Sequence, residues 1–585
     1  MKIPINRNSF WSELFTAQLS QSGIKYACIS PGSRSTPLTL AFASNKKIKT
    51  FVNPDERSNA FFALGLAEYS GSPVAIVTTS GTAVAELYPA IIEAYQRRIP
   101  LIVCTADRPP ELLNCGANQT INQENIFANH IRKFFNAGLP SLNESKLLKI
   151  KKIAAEAVEI SLKKNQGPVH VNFPFRKPLE PESFTDKIDK HFYDKIRNIN
   201  LPASFSTLPS VKQHKKVMKA ITGKSKGLIF CGWDNYRSDF PKLLVKFSRI
   251  SGFPIIADGI SGLRFGKHSM QNIISNASAF LKSKAYGFLL EAEIILQFGS
   301  APTSNIVLDF LKKSQAEKFL INEYGDYKDP SRTARNIIKI NPSEFLSELL
   351  TVTKNVNHPR NNRLNKIRQF EQLTEKIKEQ NILNAEFPFE GRIIPEVLKS
   401  IPPNSNLFVS NSMPVRDLDF FSSAMKKNIK IYSNRGASGI DGIISTAAGI
   451  AVKSKFPTYL VIGDLAFLHD SNGLNILQNQ KIPLQIILID NNGGGIFGML
   501  PIAKNKKYFE EYFQTPQTAD FALLTKAHGG KYYRIKSWNM LKNTIFNYKY
   551  LNNFSVLHVK TNAEDSIALR KKYWEVLSGT IESQF

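Results

Sequence analysis

Short apolar runs recur along the chain, each followed by a polar or glycine-rich turn and then by a segment whose apolar positions return at helical spacing. YACIS leads through PGSRSTP to LTLAFAS, TFVN to DERSNAFFALGLAEYS, and VAIVTTS to GTAVAELYPAIIEAYQ, and PLIVCTADRPP closes the series. Strand, polar loop and helix in this rhythm predict a doubly wound parallel sheet, with ligands beyond the carboxyl ends of its strands. A second series runs GLIFCG, FPKLLVKFSRI, PIIAD, EIILQFG, VLDFLKK and KFLIN. A third begins near Ile382 with NLFVSNSMPVRDLD and IYSNRGASGIDGIISTAAGIAV and ends with KYYRI and FSVLHVK. The expected fold class is therefore α/β, with three doubly wound parallel-sheet domains spanning 1–180, 212–350 and 381–585. The proline-bearing stretch at 181–211 and the polar stretch at 351–380 read as linkers. In the middle block GISGLRFG and QFGSAPTSN could face a ligand, but a scaffold or subunit-contact role is preferred.

The densest pattern is Thr458 to Leu500. An apolar run ends in Gly463-Asp464, Leu474 and Leu477 follow at helical spacing, and LQIILID returns to Asn491, Asn492 and three glycines. This reads as a βαβ unit whose right-handed crossover brings both strand ends together and Asp464 close to Asn491. A carboxylate and an amide oxygen at one sheet edge suit a hard divalent cation such as Mg²⁺, and glycines 493 to 495 let the backbone approach the same point. Gly493, Gly495 and Gly498 also satisfy the dinucleotide fingerprint, but Pro501, a lysine cluster and Pro516 interrupt the helix and strand that it requires. A glycine-rich turn with an Asp capping its strand is the plainer alternative.

Ser33, Arg34, Glu56, Ser80, Gly81 and Arg108 all fall at expected strand ends of the first block. Taken singly, Glu56 can be a first-turn acid, Ser80 a cap, and the arginines surface ion-pair partners. Two arginines and a carboxylate converging on one edge make the functional case. In the third block Asn411, Ser412 and Arg416 follow one strand, and Arg435 and Ile440 lie in a glycine-rich turn that opens a helix.

Composition narrows the classes. A chain of 585 residues exceeds a single core and calls for several domains. No apolar run is long enough to span a bilayer and MKIPINRNSFWSEL lacks a signal-peptide core, so the expected location is cytoplasmic, without membrane insertion. Four cysteines without a C-x-x-C pair fit a reducing compartment and leave any metal to oxygen ligands. The formal charge of +28 raises nucleic-acid binding, yet the basic residues are spread through KLLKIKK, HKKVMKA and KNKKY with no recognised module around them. Solvated lysine faces account for most of the excess, with attraction of small anions as a secondary effect.

The motifs ISPGSRSTPL, NPDERSNAFFALGLA, TTSGTAVAELYPA, TADRPPEL, ANQTI, NSMPVRDLD, NRGASGIDG, GDLAFLHDSNGL and DNNGGGIFGMLP occur in this order. Together they resemble the thiamin-diphosphate enzyme superfamily and, more narrowly, the 2-succinyl-5-enolpyruvyl-6-hydroxy-3-cyclohexene-1-carboxylate synthase family of menaquinone biosynthesis. The resemblance covers nearly the whole chain, and Leu465 stands where general members of the superfamily have the last glycine of GDG. It implies thiamin diphosphate with Mg²⁺, or Mn²⁺ in its place, held by Asp464, Asn491 and the backbone carbonyl of Gly493. It implies Glu56 as the catalytic carboxylate at N1′ of the aminopyrimidine and Ile440 as the apolar wedge that bends the cofactor, with Leu465 and Gly494 completing the cofactor contacts.

The implied substrates are 2-oxoglutarate and isochorismate. Ser33, Arg34, Arg108, Asn118, Gln119, Ser412, Arg416 and Arg435 are the implied polar contacts, and Ile496 and Phe497 the apolar walls. Forked guanidinium donors suit carboxylates better than lysine does. The chain departs from the family at Asn305, where many members carry Lys, which bears on any contribution of the middle domain to the second substrate. The implied assembly is a homodimer or homotetramer with its active site between two chains and no nucleic-acid partner. The rival readings are another 2-oxoacid-using thiamin enzyme, a basic nucleic-acid-binding α/β protein, and a noncatalytic member of the fold.

Overall fold

Three six-stranded sheets, each entirely parallel, carry the chain. The structure is a computed structural model that describes residues 6–163, 165–199, 218, 221, 223–283, 290–353 and 362–583. The first sheet comprises β1 (Tyr26–Ile29), β2 (Lys49–Val52), β3 (Val74–Thr78), β4 (Leu101–Asp107), β5 (Phe134–Asn136) and β6 (Val169–Pro174), in the order β2-β1-β3-β4-β6-β5. The second comprises β7 (Gly227–Cys231), β8 (Ile255–Ala257), β9 (Ile273–Ile274), β10 (Ile294–Phe298), β11 (Glu317–Asn322) and β12 (Asn336–Lys339), in the order β12-β11-β10-β7-β8-β9. The third comprises β13 (Ser405–Val409), β14 (Ile429–Tyr432), β15 (Thr458–Gly463), β16 (Gln485–Asp490), β17 (Lys531–Arg534) and β18 (Ser555–Lys560), in the order β14-β13-β15-β16-β18-β17. The expected α/β class holds. The first and third sheets share one strand order, which their common rhythm hinted at and no sequence repeat reveals.

The central strands are largely apolar because helices cover both faces: VAIVT, GLIFC, IILQF and QIILID are buried at every position. Helices Glu56–Ser70 and Ile443–Ala451 join the cores of the first and third sheets, contributing Phe61, Phe62 and Leu66 from one side and Ile443, Ala447 and Ile450 from the other. They approach closely because glycine stands at the crossing. A Cβ at Gly65 would run into the carbonyl oxygen of Thr446, and one at Gly449 into that of Phe62.

The middle sheet is tied to the third by Arg264 of GISGLRFG, whose guanidinium reaches the Asp419 carboxylate at 2.7 Å and the Asp419 and Ser422 carbonyls. It is tied to the first by Arg98, which pairs with Asp326 at 2.7 Å and lies over the Tyr324 ring. Within 181–211, helix Lys190–Asn198 packs Tyr193 and Ile196 into the first core and receives Lys151 on its last carbonyls; 200–211 lie outside the described residues. Within 351–380, helix Asn362–Lys378 sets Glu371, Glu375 and Lys378 against Ser275 and Asn276, with 354–361 outside the described residues. Among the described residues no helix is long and apolar enough to cross a membrane.

Candidate active site

The carboxyl ends of the third sheet gather the first set of residues. Strands β15 and β16 pair with Gly463 opposite Ile489, so Asp464, the first residue beyond β15, faces the turn that leaves β16. Asp464 also opens helix Asp464–His469, where the helix dipole favours a carboxylate. Its Oδ2 accepts from the Gly493 N–H at 2.8 Å and its Oδ1 from the Leu465 N–H at 2.7 Å. Burial, with Asp490 and Glu390 nearby, pushes the Asp464 carboxyl up to about 7. Asn491 donates its Nδ2 to Glu390 at 2.8 Å, while its buried Oδ1 has no partner. An acceptor left in that state costs about 1–3 kcal/mol.

Gly493 adopts φ 122°, and a Cβ there would collide with the Gln514 carbonyl; its own carbonyl accepts from Gly495 at 2.9 Å and keeps a second lone pair. A carboxylate, an orphaned amide oxygen and a carbonyl form a hard oxygen set that fits a divalent cation. No cluster of three His, Cys, Asp or Glu side chains among the described residues offers a competing site. Beyond β16 the chain enters the 3-10 turns Gly495–Met499 and Pro501–Lys504 rather than a helix, which removes the dinucleotide reading of Gly493, Gly495 and Gly498. Gly494 is buried and Leu465 half-buried beside this edge. Ile496 and Phe497 are half-buried on the first of these turns, with Phe497 edge-on to Phe513 at 5.8 Å.

At the same edge, Asn411 and Ser412 follow β13. Ser412 takes φ 68° and opens helix Met413–Phe421, and its carbonyl accepts from Arg416 at 2.7 Å. Asn411 donates to the carbonyls of Asn434 and Gly439 and accepts from Arg435 at 2.9 Å, which gathers the loop that also carries the half-buried Ile440. Burial, and next to it the charge of Arg435, works against the Arg416 cation; burial does the same to Arg435.

The first sheet gathers a second pair. Ser33 and Arg34 lie in the turn after β1, Ser80 and Gly81 after β3, and Arg108 after β4. Arg34 is only 4% exposed; it donates to the Phe175 carbonyl at 2.7 Å and its Nε has no partner. Arg108 donates to Ser80 Oγ at 2.7 Å and to the Asn118 carbonyl at 2.8 Å, and Gln119 donates to the Ser80 carbonyl at 3.0 Å. Arg34, Arg108, Asn118, Arg176 and Lys177 line a cleft of about 400 Å³. Glu56 is the first residue of its helix, after the N-cap Asp55. Burial raises its carboxyl, its own backbone N–H opposes the shift, and Asp55 and Glu86 add to it.

The fold therefore brings together Asp464, Asn491 and Gly493, then Ser412, Arg416 and Arg435, and separately Arg34, Arg108, Asn118 and Gln119. The acids that bear most on Glu56 are Asp55 and Glu86, and those that bear most on Asp464 are Asp490 and Glu390, while Arg57 and Asp55 beside Glu56 meet His469 and Asn472 of the third block in the same chain. Asn305 is exposed at the first turn of its helix. Two supporting residues escaped the sequence reading. Glu390 meets Asn491 from 101 positions away, and Glu93, 3% exposed, accepts from the N–H groups of Gly436 at 2.8 Å and Ala437 at 2.6 Å beside Arg435. No local spacing announces such distant contacts.

Comparison with known proteins assigns the chain to three family models. Residues 11–126 match the model of the N-terminal TPP binding domain of thiamine pyrophosphate enzymes, 201–409 that of the middle domain, and 422–559 that of the C-terminal TPP binding domain. A 2-succinyl-5-enolpyruvyl-6-hydroxy-3-cyclohexene-1-carboxylate synthase from Bacillus cytotoxicus is 35% identical over 97% of this chain and 96% of its own length. The synthases of that name from Listeria innocua and Listeria welshimeri are 36% and 37% identical, covering 97% and 96% of both chains. Among solved structures, benzoylformate decarboxylase from Polynucleobacter necessarius superposes with a TM-score of 0.69 over 94% of this chain and 98% of its own, at 15% identity, a likeness of fold.

Proposed function

The chain belongs to the 2-succinyl-5-enolpyruvyl-6-hydroxy-3-cyclohexene-1-carboxylate synthase family of thiamin-diphosphate enzymes, and from that premise we infer that it decarboxylates 2-oxoglutarate and adds the succinyl unit to isochorismate in a 1,4 sense. The products are CO₂ and 2-succinyl-5-enolpyruvyl-6-hydroxy-3-cyclohexene-1-carboxylate, in menaquinone biosynthesis. Thiamin diphosphate, when bound, supplies the electron sink for the decarboxylation. Glu56, with its carboxyl biased toward the protonated form by burial, holds a proton at N1′ of the aminopyrimidine. Asp464, the orphaned Oδ1 of Asn491 and the Gly493 carbonyl would hold Mg²⁺, or Mn²⁺ in its place, which would offset the charge of the diphosphate. Leu465 and Gly494 line that edge, and Ile440 provides the apolar wedge.

The observation that carries the substrate assignment is the pair of arginines at each outer sheet. Among the described residues none of Arg34, Arg108, Arg416 and Arg435 forms an ion pair, and their hydrogen bonds go to neutral carbonyl, hydroxyl and amide oxygens. Asp107 lies near Arg34, and Asp258 and Glu93 near Arg435, but among the described residues no carboxylate pairs directly with any of the four guanidinium groups, which leaves their forked donors for a dianionic ligand. Ser33, Asn118, Gln119 and Ser412 supply neutral polar contacts, and Ile496 and Phe497 exclude water from the ring of the second substrate.

The working unit is at least a homodimer, with Glu56 of one chain facing Asp464 of the other. The match to the N- and C-terminal TPP binding domains of thiamine pyrophosphate enzymes supports that reading. The deciding experiment incubates the protein with thiamin diphosphate, Mg²⁺, 2-oxoglutarate and isochorismate and follows the adduct by mass spectrometry. The adduct is expected only with all components present. CO₂ release from 2-oxoglutarate without an isochorismate adduct would make the chain a different 2-oxoacid enzyme.

A further inference from the structure

We propose that Glu390 is the positioning residue that decides which end of the Asn491 amide faces the metal. The inference rests on the reading of Asn491 as a metal ligand. Glu390 opens helix Glu390–Ser400, and its Oε1 accepts from Asn491 Nδ2 at 2.8 Å and from Thr561 Oγ1 at 3.0 Å. An amide side chain fits its space almost equally well in two orientations related by a half-turn, and only one of them offers oxygen to a cation. A carboxylate accepts hydrogen bonds, so Glu390 takes the amide nitrogen and leaves Oδ1 as the end turned away from it, buried and without a partner.

Glu390 is itself held in place. Arg570, on the C-terminal helix Ala563–Glu582, lies 3.5 Å from Glu390 Oε2 and forks onto both carboxylate oxygens of Asp417. Four segments thus converge behind one ligand: the start of helix Glu390–Ser400, the residue after β18, helix Met413–Phe421 and the C-terminal helix. None of the supporting groups needs to touch the metal. Partners of this kind orient ligands in metal sites generally, and their loss typically weakens the metal about 10- to 100-fold.

The test uses Mn²⁺ as the probe, with thiamin diphosphate present, and reads bound Mn²⁺ by electron paramagnetic resonance, which does not depend on turnover. Asn491→Asp adds a negative ligand. Beside Glu390 it also sets two carboxylates in contact, and Mn²⁺ is expected to bind about tenfold more weakly. In a Glu390→Gln background the glutamine amide can donate to the carboxylate introduced by Asn491→Asp, so the same substitution is expected to leave Mn²⁺ affinity unchanged or raise it. That reversal is the signature of positioning, because a residue that merely supports folding would shift both backgrounds alike. Equal effects of Asn491→Asp in the two backgrounds overturn the proposal.

Should Asn491→Asp not fold, Glu390→Ala and Glu390→Gln decide. Glu390→Ala is expected to weaken Mn²⁺ about tenfold and Glu390→Gln to recover part of the loss; wild-type affinity in Glu390→Ala overturns the role. Asp464→Ala separates the two layers of the argument. If it still binds Mn²⁺ as wild type does, the metal assignment falls and this inference with it. If it loses Mn²⁺ while the other variants behave additively, only the role of Glu390 falls.

Discussion

Replacing Arg416 by methionine keeps most of the side chain's length and removes its charge, and the surroundings of Arg416 make the outcome specific. In the free protein Arg416 donates to the Ser412 carbonyl at 2.7 Å, and burial and Arg435 both work against its charge. Its removal forfeits that hydrogen bond but relieves the desolvation of a cation and the repulsion from Arg435. These effects oppose one another, so the melting temperature is expected to hold within about 2–4 °C, the shift that 1 kcal/mol produces in a domain of this size. With a carboxylate substrate bound the balance changes, because Arg435 then meets the anion alone. Loss of one member of a charged, hydrogen-bonded clamp costs about 2–3 kcal/mol, which is roughly 30- to 150-fold in kcat/KM for the anionic substrate. Arg416→Lys keeps the charge without the fork and is expected to fall between wild type and Arg416→Met. Steady-state kinetics in each substrate, thiamin diphosphate binding and thermal melting together form the assay. A fall in kcat/KM smaller than about threefold, or a matching loss of cofactor affinity, would refute the clamp.

Three further outcomes follow from other parts of the molecule. Gly65→Ala sets a methyl against the Thr446 carbonyl where the helices of the first and third sheets cross, and overpacking there is expected to cost about 1–3 kcal/mol, read as a lower denaturation midpoint; an unchanged midpoint would mean that the crossing yields freely. Asp470 accepts from the Ser445 N–H at 2.7 Å and from the Ser445 hydroxyl, and burial pushes its carboxyl up to about 7. Its native form therefore binds a proton that the unfolded chain has lost above about pH 4, so stability falls as pH rises toward 7; between about pH 5 and pH 7 wild type is expected to lose roughly 5–9 °C more than Asp470→Asn, and parallel melting curves would refute this. Mixing inactive Glu56→Gln with inactive Asp464→Ala protein under subunit exchange creates one intact site per mixed dimer if the site lies between chains, and about half the wild-type activity per mixed dimer is expected. No recovery, with exchange shown independently, would place both residues of a site on one chain.

What was legible in the sequence was what local pattern controls. Consecutive strands β15 and β16 pair directly, so adjacency of Asp464 and Asn491 follows from a short crossover. The residues after β1, β3 and β4 likewise reach one edge because these strands are neighbours. Contacts between distant segments were not legible: nothing in FPFEGRIIPEV announces that Glu390 will meet Asn491, nor anything in YPAIIEAYQRR that Glu93 will hold the backbone beside Arg435. Helix Asn362–Lys378 was hidden for a different reason. Its sequence NRLNKIRQFEQLTEKIK is largely polar, and beside the apolar contacts of Ile367 and Ile377 its docking runs through buried polar groups, Lys378 to Asn276 and Glu371 to Ser275, which a hydrophobic pattern does not reveal.

The three sheets also separate edges that bind from edges that brace. Each sheet has a point where the strand order reverses, and in open α/β sheets ligands gather there. In the middle sheet this point lies between β7 and β10, and its loops close on each other: Trp233 donates to Ser300 Oγ at 3.0 Å, and the Ser300 N–H returns to the Trp233 carbonyl at 2.8 Å. Nearby, Asp258 is taken up by the Thr303 N–H at 2.6 Å and the Ile260 N–H at 3.1 Å, and Arg264 is taken up by Asp419. The corresponding points of the outer sheets fall between β1 and β3 and between β13 and β15, and polar groups are left open at or next to them: the Nε of Arg34 after β1, the Oδ1 of Asn491 after the neighbouring β16, and four arginines that form no ion pair among the described residues. A satisfied edge contributes stability whether or not a ligand arrives, whereas an unsatisfied one carries a cost that only a ligand of opposite character removes. Asn305 stands at the braced edge, exposed in the first turn of its helix. The departure from the lysine that many family members carry thus falls on an exposed helix start of the middle domain.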